Sequence, residues 1–88
     1  YDLNYIKGFL MQNFARTPKQ IGAILRRLRR SSHLSQGGLG EKAGLWQETI
    51  SKVERGAGGT KLETFCDILA ALDLEILIAP RRKGSSSD

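Results

Sequence analysis

Residues 35–56 read SQGGLGEKAGLWQETISKVERG and predict two short helices that meet at Gly44. Ser35 is placed to cap the first helix, because its hydroxyl can accept a backbone N–H from the first turn. Leu34 and Leu39 flank this cap with the spacing of a hydrophobic staple. Gly44 suits the left-handed conformation that ends many helices. The first helix is therefore expected to run from a cap at Ser35 to a bend at Gly44.

The second helix, residues 47–55, carries one narrow apolar stripe. Ile50 and Val53 lie three positions apart and therefore share a face. Nearly all the other side chains can hydrogen-bond: Gln47, Glu48, Thr49, Ser51, Lys52 and Arg55. Gly56 can then close the helix. A helix that buries a thin stripe and presents amides, hydroxyls and a cation outward is typical of a recognition helix, so this stretch predicts a helix-turn-helix.

Three glycines in the first of these helices conflict with its formation. Gly37, Gly38 and Gly40 each cost about 1 kcal/mol relative to alanine in a helix interior. Close approach of the backbone to DNA or to a neighbouring helix would compensate. The sequence leaves both explanations open.

The composition indicates one small domain. The 88 residues are too few for a second core, and 40% of them are hydrophobic. No stretch approaches the roughly 18 apolar residues that a membrane span requires. Cys66 is the only cysteine, so no internal disulfide can form and a reducing, cytoplasmic location is expected. Cys66 itself is expected to be a small buried hydrophobe in a helix.

Positive charge is concentrated in the half of the chain that contains the helix-turn-helix. The formal net charge is +5. Residues 16–55 contain nine Lys or Arg against three Glu, a net +6, whereas residues 56–80 contain one Lys against four acids, a net −3. This asymmetry favours a polyanionic partner on the first part of the domain.

A longer helix is predicted before the helix-turn-helix. Thr17 can cap it, Pro18 suits its first position, and Gln20 can complete a capping box. Apolar side chains then recur with helical spacing at Ile21, Ile24, Leu25 and Leu28. The rest of the helix is crowded by Arg26, Arg27, Arg29 and Arg30. These arginines form either a solvated basic face or a set of phosphate contacts.

A further helix is predicted over residues 60–73. Thr60 and Glu63 have the spacing of a capping box. The apolar positions of this segment fall on one side of a helix: Leu62, Phe65, Ile68, Leu69 and Leu72.

Residues 74–79, LEILIA, predict the one β-strand, which Pro80 ends. A lone strand leaves its backbone groups unpaired, and no second strand is evident in the sequence. We therefore expect it to pair with the same strand of a second copy across a two-fold axis. The alternative is a strand that docks on its own helices. The expected dimer contacts are Leu74, Ile76, Leu77 and Ile78.

The predicted fold is all-α: a compact domain of four to five helices with one C-terminal β-strand that pairs across a homodimer. Residues 1–15 form an N-terminal extension with the apolar spacing of a short helix, and could serve as a docking arm, an additional core helix or a frayed segment. Residues 16–73 form the helix-turn-helix domain, and residues 74–80 the dimerisation strand. Residues 81–88 are a basic, then Gly/Ser-rich tail that is expected to be disordered.

The run of residues in and around the helix-turn-helix resembles the Xre/Cro-type repressors over about residues 21–74. The matching positions are Leu34-Ser35-Gln36, Leu39, Glu41-Lys42-Ala43-Gly44, Gln47, Thr49 through Gly56, and Leu62-Glu63-Thr64. This resemblance implies base contacts by Gln47, Glu48, Ser51 and Lys52. It also implies that Gln36 holds a phosphate, that Thr49 lies near the DNA backbone, and that Arg29 pairs with Glu54 inside the fold.

One departure from the family concerns Trp46, which stands where the family has a Ser or Thr cap. Packing then holds the entry to the recognition helix, or Trp46 lies against sugar and phosphate. The full set of expected backbone contacts is Gln36, Trp46, Thr49, Arg55, Arg26 and Arg30. Such contacts position a protein on DNA without specifying a sequence.

The function indicated is a dimeric transcriptional repressor that binds a palindromic operator. The C-terminal strand and polar tail are similar to those of HipB-like antitoxins, and this resemblance implies a HipA-like serine/threonine kinase toxin as a partner. The alternatives are a stand-alone regulator of the same family and a protein-interaction module without an operator.

An enzymatic function is not expected. The chain has one His and one Cys, no glycine-rich phosphate loop after a strand, and no residues with metal-ligand spacing. No catalytic residue, metal or cofactor is therefore predicted. His33 is expected to be a loop residue in the turn before Ser35.

Overall fold

The computed structural model describes residues 12–81, which form four helices. These are α1 (Pro18–Ser31), α2 (Gln36–Ala43), α3 (Gln47–Glu54) and α4 (Leu62–Ala71). The predicted N-terminal helix falls largely on residues 1–11 and the predicted disordered tail on residues 82–88, so both lie outside the described residues. Residues 12–15 are not helical. None of the four helices has the length and apolar composition required to cross a bilayer.

All four helices contribute to one hydrophobic core. Its buried members are Leu25 of α1, Leu39 of α2, Ile50 and Val53 of α3, and Ile68, Leu69 and Ala71 of α4. Leu39, Ile50 and Ile68 have almost no exposed surface. The apolar stripe of α3 is therefore confirmed, and of the stripe predicted for α1, Leu25 is buried and Ile21 packs against the core. This packing fixes the rotation of α3 about its own axis and thereby decides which of its side chains face outward.

The helix ends follow the local signals around residues 17 and 35. Thr17 Oγ1 accepts the backbone N–H of Gln20 at 3.1 Å, and Ser35 Oγ accepts that of Gly38 at 2.9 Å. Gly44 ends α2 in the left-handed region at φ +73°. The capping box expected at the start of α1 is altered, because Gln20 Oε1 accepts the N–H of Arg16 rather than that of Thr17.

Two expectations for α4 were wrong. The helix begins at Leu62 after an N-cap at Lys61 that makes no side-chain cap bond, so Thr60 does not cap it. Leu62 is 72% exposed as a consequence of its place in the first turn. Cys66 is exposed, not buried. The buried positions of α4 are Ile68, Leu69 and Ala71, and Cys66 lies on the opposite side of the helix.

The predicted strand is not formed within the described part of this single chain. Residues 74–81 have neither helix nor strand. Leu74 N–H donates to the Leu69 carbonyl at 2.8 Å, and the Leu74 side chain packs against the core. Beyond it Ile76, Leu77 and Ile78 are 49%, 62% and 96% exposed. Pairing with a second copy stays a prediction, and the segment has the exposed apolar side chains that such pairing would cover.

Gly40 and Gly22 are each required by close approach between elements. A Cβ added to Gly40 of α2 would lie 2.6 Å from the Leu45 carbonyl oxygen in the turn before α3. A Cβ added to Gly22 of α1 would lie 2.4 Å from the Val53 carbonyl oxygen and 2.6 Å from that of Glu54. The conflict posed by Gly40 is therefore resolved by contact within the protein. The role of Gly22 was missed from the sequence.

Candidate nucleic-acid interface

Helix α3 presents a polar, accessible face. Ile50 and Val53 are buried, at 1% and 6% exposure, and hold the opposite side of the helix in the core. The predicted base-contacting residues lie together on the outer side, where Gln47, Glu48 and Lys52 are exposed and Ser51 is half-buried. Thr49, which was predicted to contact the DNA backbone, is half-buried.

Arg55 follows α3 directly and extends its polar face. The side chain is exposed, and Arg55 Nη1 donates to Ser51 Oγ at 2.5 Å. This bond orients the guanidinium along the helix, next to two of the predicted base-contacting positions. A cation held there is well placed to meet a phosphate at the edge of a groove.

Trp46 occupies the N-cap position of α3 and is 83% exposed. Its backbone carbonyl accepts the N–H groups of Thr49 and Ile50, at 3.0 and 3.3 Å, but its side chain makes no cap hydrogen bond. The indole lines a shallow depression with Gln47 and Glu48. Of the two sequence-based alternatives for Trp46, packing against the body of the protein is excluded by this exposure.

A second feature is an open groove between α1 and the end of α3, here called the cationic groove. Its lining contains five exposed cationic side chains: Lys19, Arg26, Arg27, Arg30 and Arg55. Ala23, Ser31 and Glu54 complete the lining. Arg27 Nη2 also donates to Asn13 Oδ1, which ties the segment before α1 to the edge of the groove.

The groove includes Lys19, which sequence reasoning did not assign to an interface, and Arg27, which it named only among the arginines of α1 that could contact phosphates. Their spacing from Arg26 and Arg30 on one side of a helix was available as a signal. Arg26, Arg30 and Arg55 were all predicted to contact the DNA backbone, and the structure brings these three together.

A buried ion pair connects α1 to α3. Arg29 Nε lies 2.6 Å from Glu54 Oε2, and Arg29 Nη2 donates to Glu54 Oε1 at 3.0 Å. Arg29 and Glu54 are only 6% and 9% exposed. Arg29 Nη1 donates in addition to the Leu34 carbonyl at 2.8 Å. This is the pair that the family resemblance implied, in the bidentate geometry that suits arginine.

Gln36 of α2 joins the same pair. Its Nε2 donates to Glu54 Oε1 at 3.1 Å, and the residue is half-buried at the first position of α2. An amide group carries two N–H donors. One of them is used by Glu54, so the phosphate contact predicted for Gln36 would use the other.

The hydrogen bonds in this cluster control the ionisation of Glu54. Burial by itself raises the pKa of Glu54, but hydrogen bonds from Arg29 and Gln36, with the charges of Arg29 and Arg26, outweigh it and hold the pKa below its ordinary value of 4.5. The hydrogen bond with Glu54 raises the pKa of Arg29 against the opposing effect of burial. Both groups are therefore charged at neutral pH.

The described residues contain no group of three or more His, Cys, Asp or Glu side chains that could hold a metal ion. His33 lies in the turn after α1 with φ +60°, as a loop residue. The arrangement offers amides, hydroxyls and cations for hydrogen bonding on one side of the domain, which is the chemistry of a nucleic-acid contact surface.

Comparison with known proteins defines the class. A family model described as a helix-turn-helix domain matches residues 20–76. The chain belongs to the Xre-type helix-turn-helix family and is a DNA-binding regulator of that class. Members of this family are typically non-enzymatic.

Within that family the chain is HipB-like in both sequence and structure. It is 30% identical to antitoxin HipB of Escherichia coli K12 over 69 residues, which cover 78% of this chain and 78% of the relative. The structure of a HipB–O4 20mer complex matches with a TM-score of 0.75 and 28% identity, covering 81% of this chain and 99–100% of HipB chains in such complexes.

Two other relatives show the breadth of the class. The uncharacterized HTH-type transcriptional regulator y4dL of Sinorhizobium fredii is 41% identical over 58 residues. That segment covers 66% of this chain but only 30% of the regulator. The restriction-modification controller protein C.AhdI of Aeromonas hydrophila matches with a TM-score of 0.62 and 34% identity, over 66% of this chain and 84% of C.AhdI.

Proposed function

We propose that this chain is a sequence-specific transcriptional repressor that inserts α3 into the major groove of operator DNA. The observation that carries the proposal is the division of α3 into a buried stripe, Ile50 and Val53, and an accessible polar face. Recognition helices of this class contact base edges with the residues near their N-termini. Gln47 and Glu48 occupy that position here, and Ser51 and Lys52 lie one turn further on.

The side chains on this face match the hydrogen-bonding groups of base pairs. Glutamine can pair with adenine N6 and N7, and lysine with guanine O6 and N7. Glutamate can accept from cytosine N4, and serine can serve as donor or acceptor. Gln47, Glu48, Ser51 and Lys52 are thus the proposed base contacts.

The proposed backbone contacts surround this face. Arg26, Arg30 and Arg55 in the cationic groove are exposed and can neutralise phosphates. Gln36 lies at the N-terminus of α2, where backbone N–H groups also favour an anion. Thr49 and Trp46 lie at the first turn of α3 and complete the set.

We further propose that the repressor acts as a homodimer and as the antitoxin of a HipA-like kinase toxin. The exposed Ile76, Leu77 and Ile78 support pairing of residues 74–79 across a two-fold axis. Two copies joined in this way could place their α3 helices in successive major grooves, about 34–36 Å apart, on a palindromic site. The kinase partner rests on the likeness to HipB, and on the HipA–HipB–O2–O3 complex among the matching structures. Co-purification of this chain with a HipA-like protein encoded beside it tests the partner.

Replacement of a base-contacting residue is expected to change sequence preference. Lys52→Ala should remove discrimination at one base pair of each half-site, worth about 1–3 kcal/mol, because the side chain reads base edges. Arg30→Gln should instead weaken binding to all sequences. It should also reduce the slope of log affinity against log salt concentration by about the amount that one phosphate contact contributes. The measurement is a titration of a selected operator and its single-base-pair variants at several salt concentrations.

Lys42→Ala is the matched control for this experiment. Lys42 is an exposed lysine in the last turn of α2 and lies outside the proposed contact set. Its replacement by alanine removes the same positive charge as Lys52→Ala but no proposed base contact. Lys42→Ala should leave the sequence preference unchanged, and a Lys52→Ala variant that lost affinity equally for unrelated sequences would contradict the base-contacting role.

The dimer is expected to depend on the apolar side chains of residues 74–79. Sedimentation at micromolar concentration should give twice the 9.7 kDa chain mass. An Ile76→Asp/Ile78→Asp double variant should be monomeric, because residues two apart share a face of a strand and the two-fold axis brings the like charges together. Glu75→Gln is the control and should stay dimeric. A wild-type monomer under these conditions is incompatible with the proposed assembly.

A further inference from the structure

Trp46 is the only tryptophan in the chain, and its side chain is 83% exposed. It makes no cap hydrogen bond, although it occupies the N-cap position of α3. Large aromatic side chains that stay exposed on a small domain mark contact surfaces, because their burial on a partner contributes more than that of other residues. We therefore expect a binding partner to cover the indole.

The position of Trp46 favours DNA as its partner. Trp46 directly precedes Gln47 and lines one shallow depression with Gln47 and Glu48. Ile50, at 1% exposure, holds α3 against the core and so fixes the rotation of the helix. Any duplex that brings base edges to Gln47 and Glu48 therefore also approaches the indole. The cationic groove lies at the other end of α3 and complements the same polyanion.

The chemistry of the indole narrows the contact further. An indole carries no charge and a single N–H donor, so most of its surface can only make apolar contacts. The apolar group that a base pair displays in the major groove is the 5-methyl group of thymine. A sugar can also cover an apolar surface, but the methyl group is the apolar contact that differs between base pairs and can therefore specify sequence.

We propose that Trp46 is a specificity-determining residue whose indole packs against the 5-methyl group of a thymine beside the base pairs contacted by Gln47 and Glu48. This inference rests on the proposed DNA-binding function and deepens it. It adds Trp46, the residue directly before α3, to the proposed base-contacting residues of the helix. It also assigns a sequence-dependent contact to Trp46, which was expected to contact only the DNA backbone.

The test removes the methyl group and the indole separately. Binding sites are selected from random duplex DNA with the wild-type protein, and each thymine is then replaced in turn by deoxyuridine, which keeps the base pair. A single replacement within one half-site should weaken wild-type binding about fourfold, the value expected for one buried methyl group. Trp46→Ala should bind the unmodified site more weakly and should no longer respond to that replacement. Trp46→Phe, which keeps an aromatic ring, should retain the response.

Trp46→Ala should leave the midpoint of urea unfolding unchanged, since the side chain is exposed. A change in DNA binding would then not reflect loss of fold. A wild-type protein that bound its selected site with no sensitivity to deoxyuridine, or a selected site without thymine at this place, would overturn the inference while the repressor function stood.

Fluorescence gives an independent readout, because all indole emission comes from Trp46. Saturation with the selected duplex should shift or quench this emission with the same midpoint as gel retardation. Retardation without any change in emission would mean that Trp46 stays in solvent, as it would if a protein partner were its true contact, and would overturn the inference. Absence of retardation with every duplex would overturn the proposed function as well.

Discussion

Glu54→Ala is expected to lower the free energy of unfolding by about 3–5 kcal/mol. The substitution leaves the Arg29 guanidinium, 6% exposed, without a counter-charge and removes both of its bonds to the carboxylate. It also removes the acceptor of Gln36. An uncompensated buried charge costs far more than the net contribution of the pair that it replaced. Urea unfolding at neutral pH measures the difference.

The paired control replaces both charges. An Arg29→Met/Glu54→Leu double variant should regain most of the lost stability, since apolar side chains of similar volume often substitute for a buried ion pair without net cost. If the single variant lost less than about 1 kcal/mol, the pair would have to be solvated in solution, in the range of exposed salt bridges.

The same carboxyl group gives an acid dependence with a defined sign. Because the pKa of Glu54 is lower in the folded state, the stabilisation that it supplies is complete above its ordinary value of 4.5. It is lost as the pH falls through the lowered folded-state pKa. Glu54→Gln should therefore remove part of the loss of stability that the wild-type chain shows below pH 4.5.

The second large effect is expected at Gly22. Gly22→Ala should destabilise the domain by about 3 kcal/mol, because the new Cβ would lie 2.4 Å from the Val53 carbonyl oxygen. Both atoms next to it belong to backbone, so α1 and α3 must move apart to accept the methyl group. The shift would also disturb the neighbouring Arg29–Glu54 pair. Thermal and urea unfolding measure the loss.

Gly37→Ala is the matched control for this substitution. An added Cβ there would lie 3.5 Å from Gln47 Oε1 and 3.9 Å from Ser35 Oγ, which are ordinary van der Waals contacts. The free energy of unfolding should therefore rise, by about 0.5–1 kcal/mol, through the better helix propensity of alanine. Equal effects of the two substitutions would show that helix propensity, and not the approach of α1 to α3, decides the outcome.

Much of the fold could be predicted because its signals are local. The caps at Thr17 and Ser35 and the left-handed Gly44 depend on residues within one turn of each other, and the structure shows all three. The apolar stripe of α3 followed from the spacing of Ile50 and Val53 alone. The Arg29–Glu54 pair, in contrast, joins residues 25 positions apart and came only from the family resemblance.

The features that sequence reasoning missed depend on contacts between elements. Nothing local to Gly22 shows that the end of α3 lies against it. The side of α4 that faces the core is set by packing, so Cys66 could not be placed from its residue type. A strand at residues 74–79 needs a partner, and within one chain the described residues contain none.

The carboxylate of Glu54 has a consequence for the energetics of recognition. It belongs to α3 and takes bonds from Arg29 of α1 and Gln36 of α2, so a single group braces three helices at once. The relative positions of α1, α2 and α3, and with them the polar face of α3, are thus fixed before DNA binds. Association then carries little entropic penalty for ordering these helices, and the affinity reflects the contacts themselves.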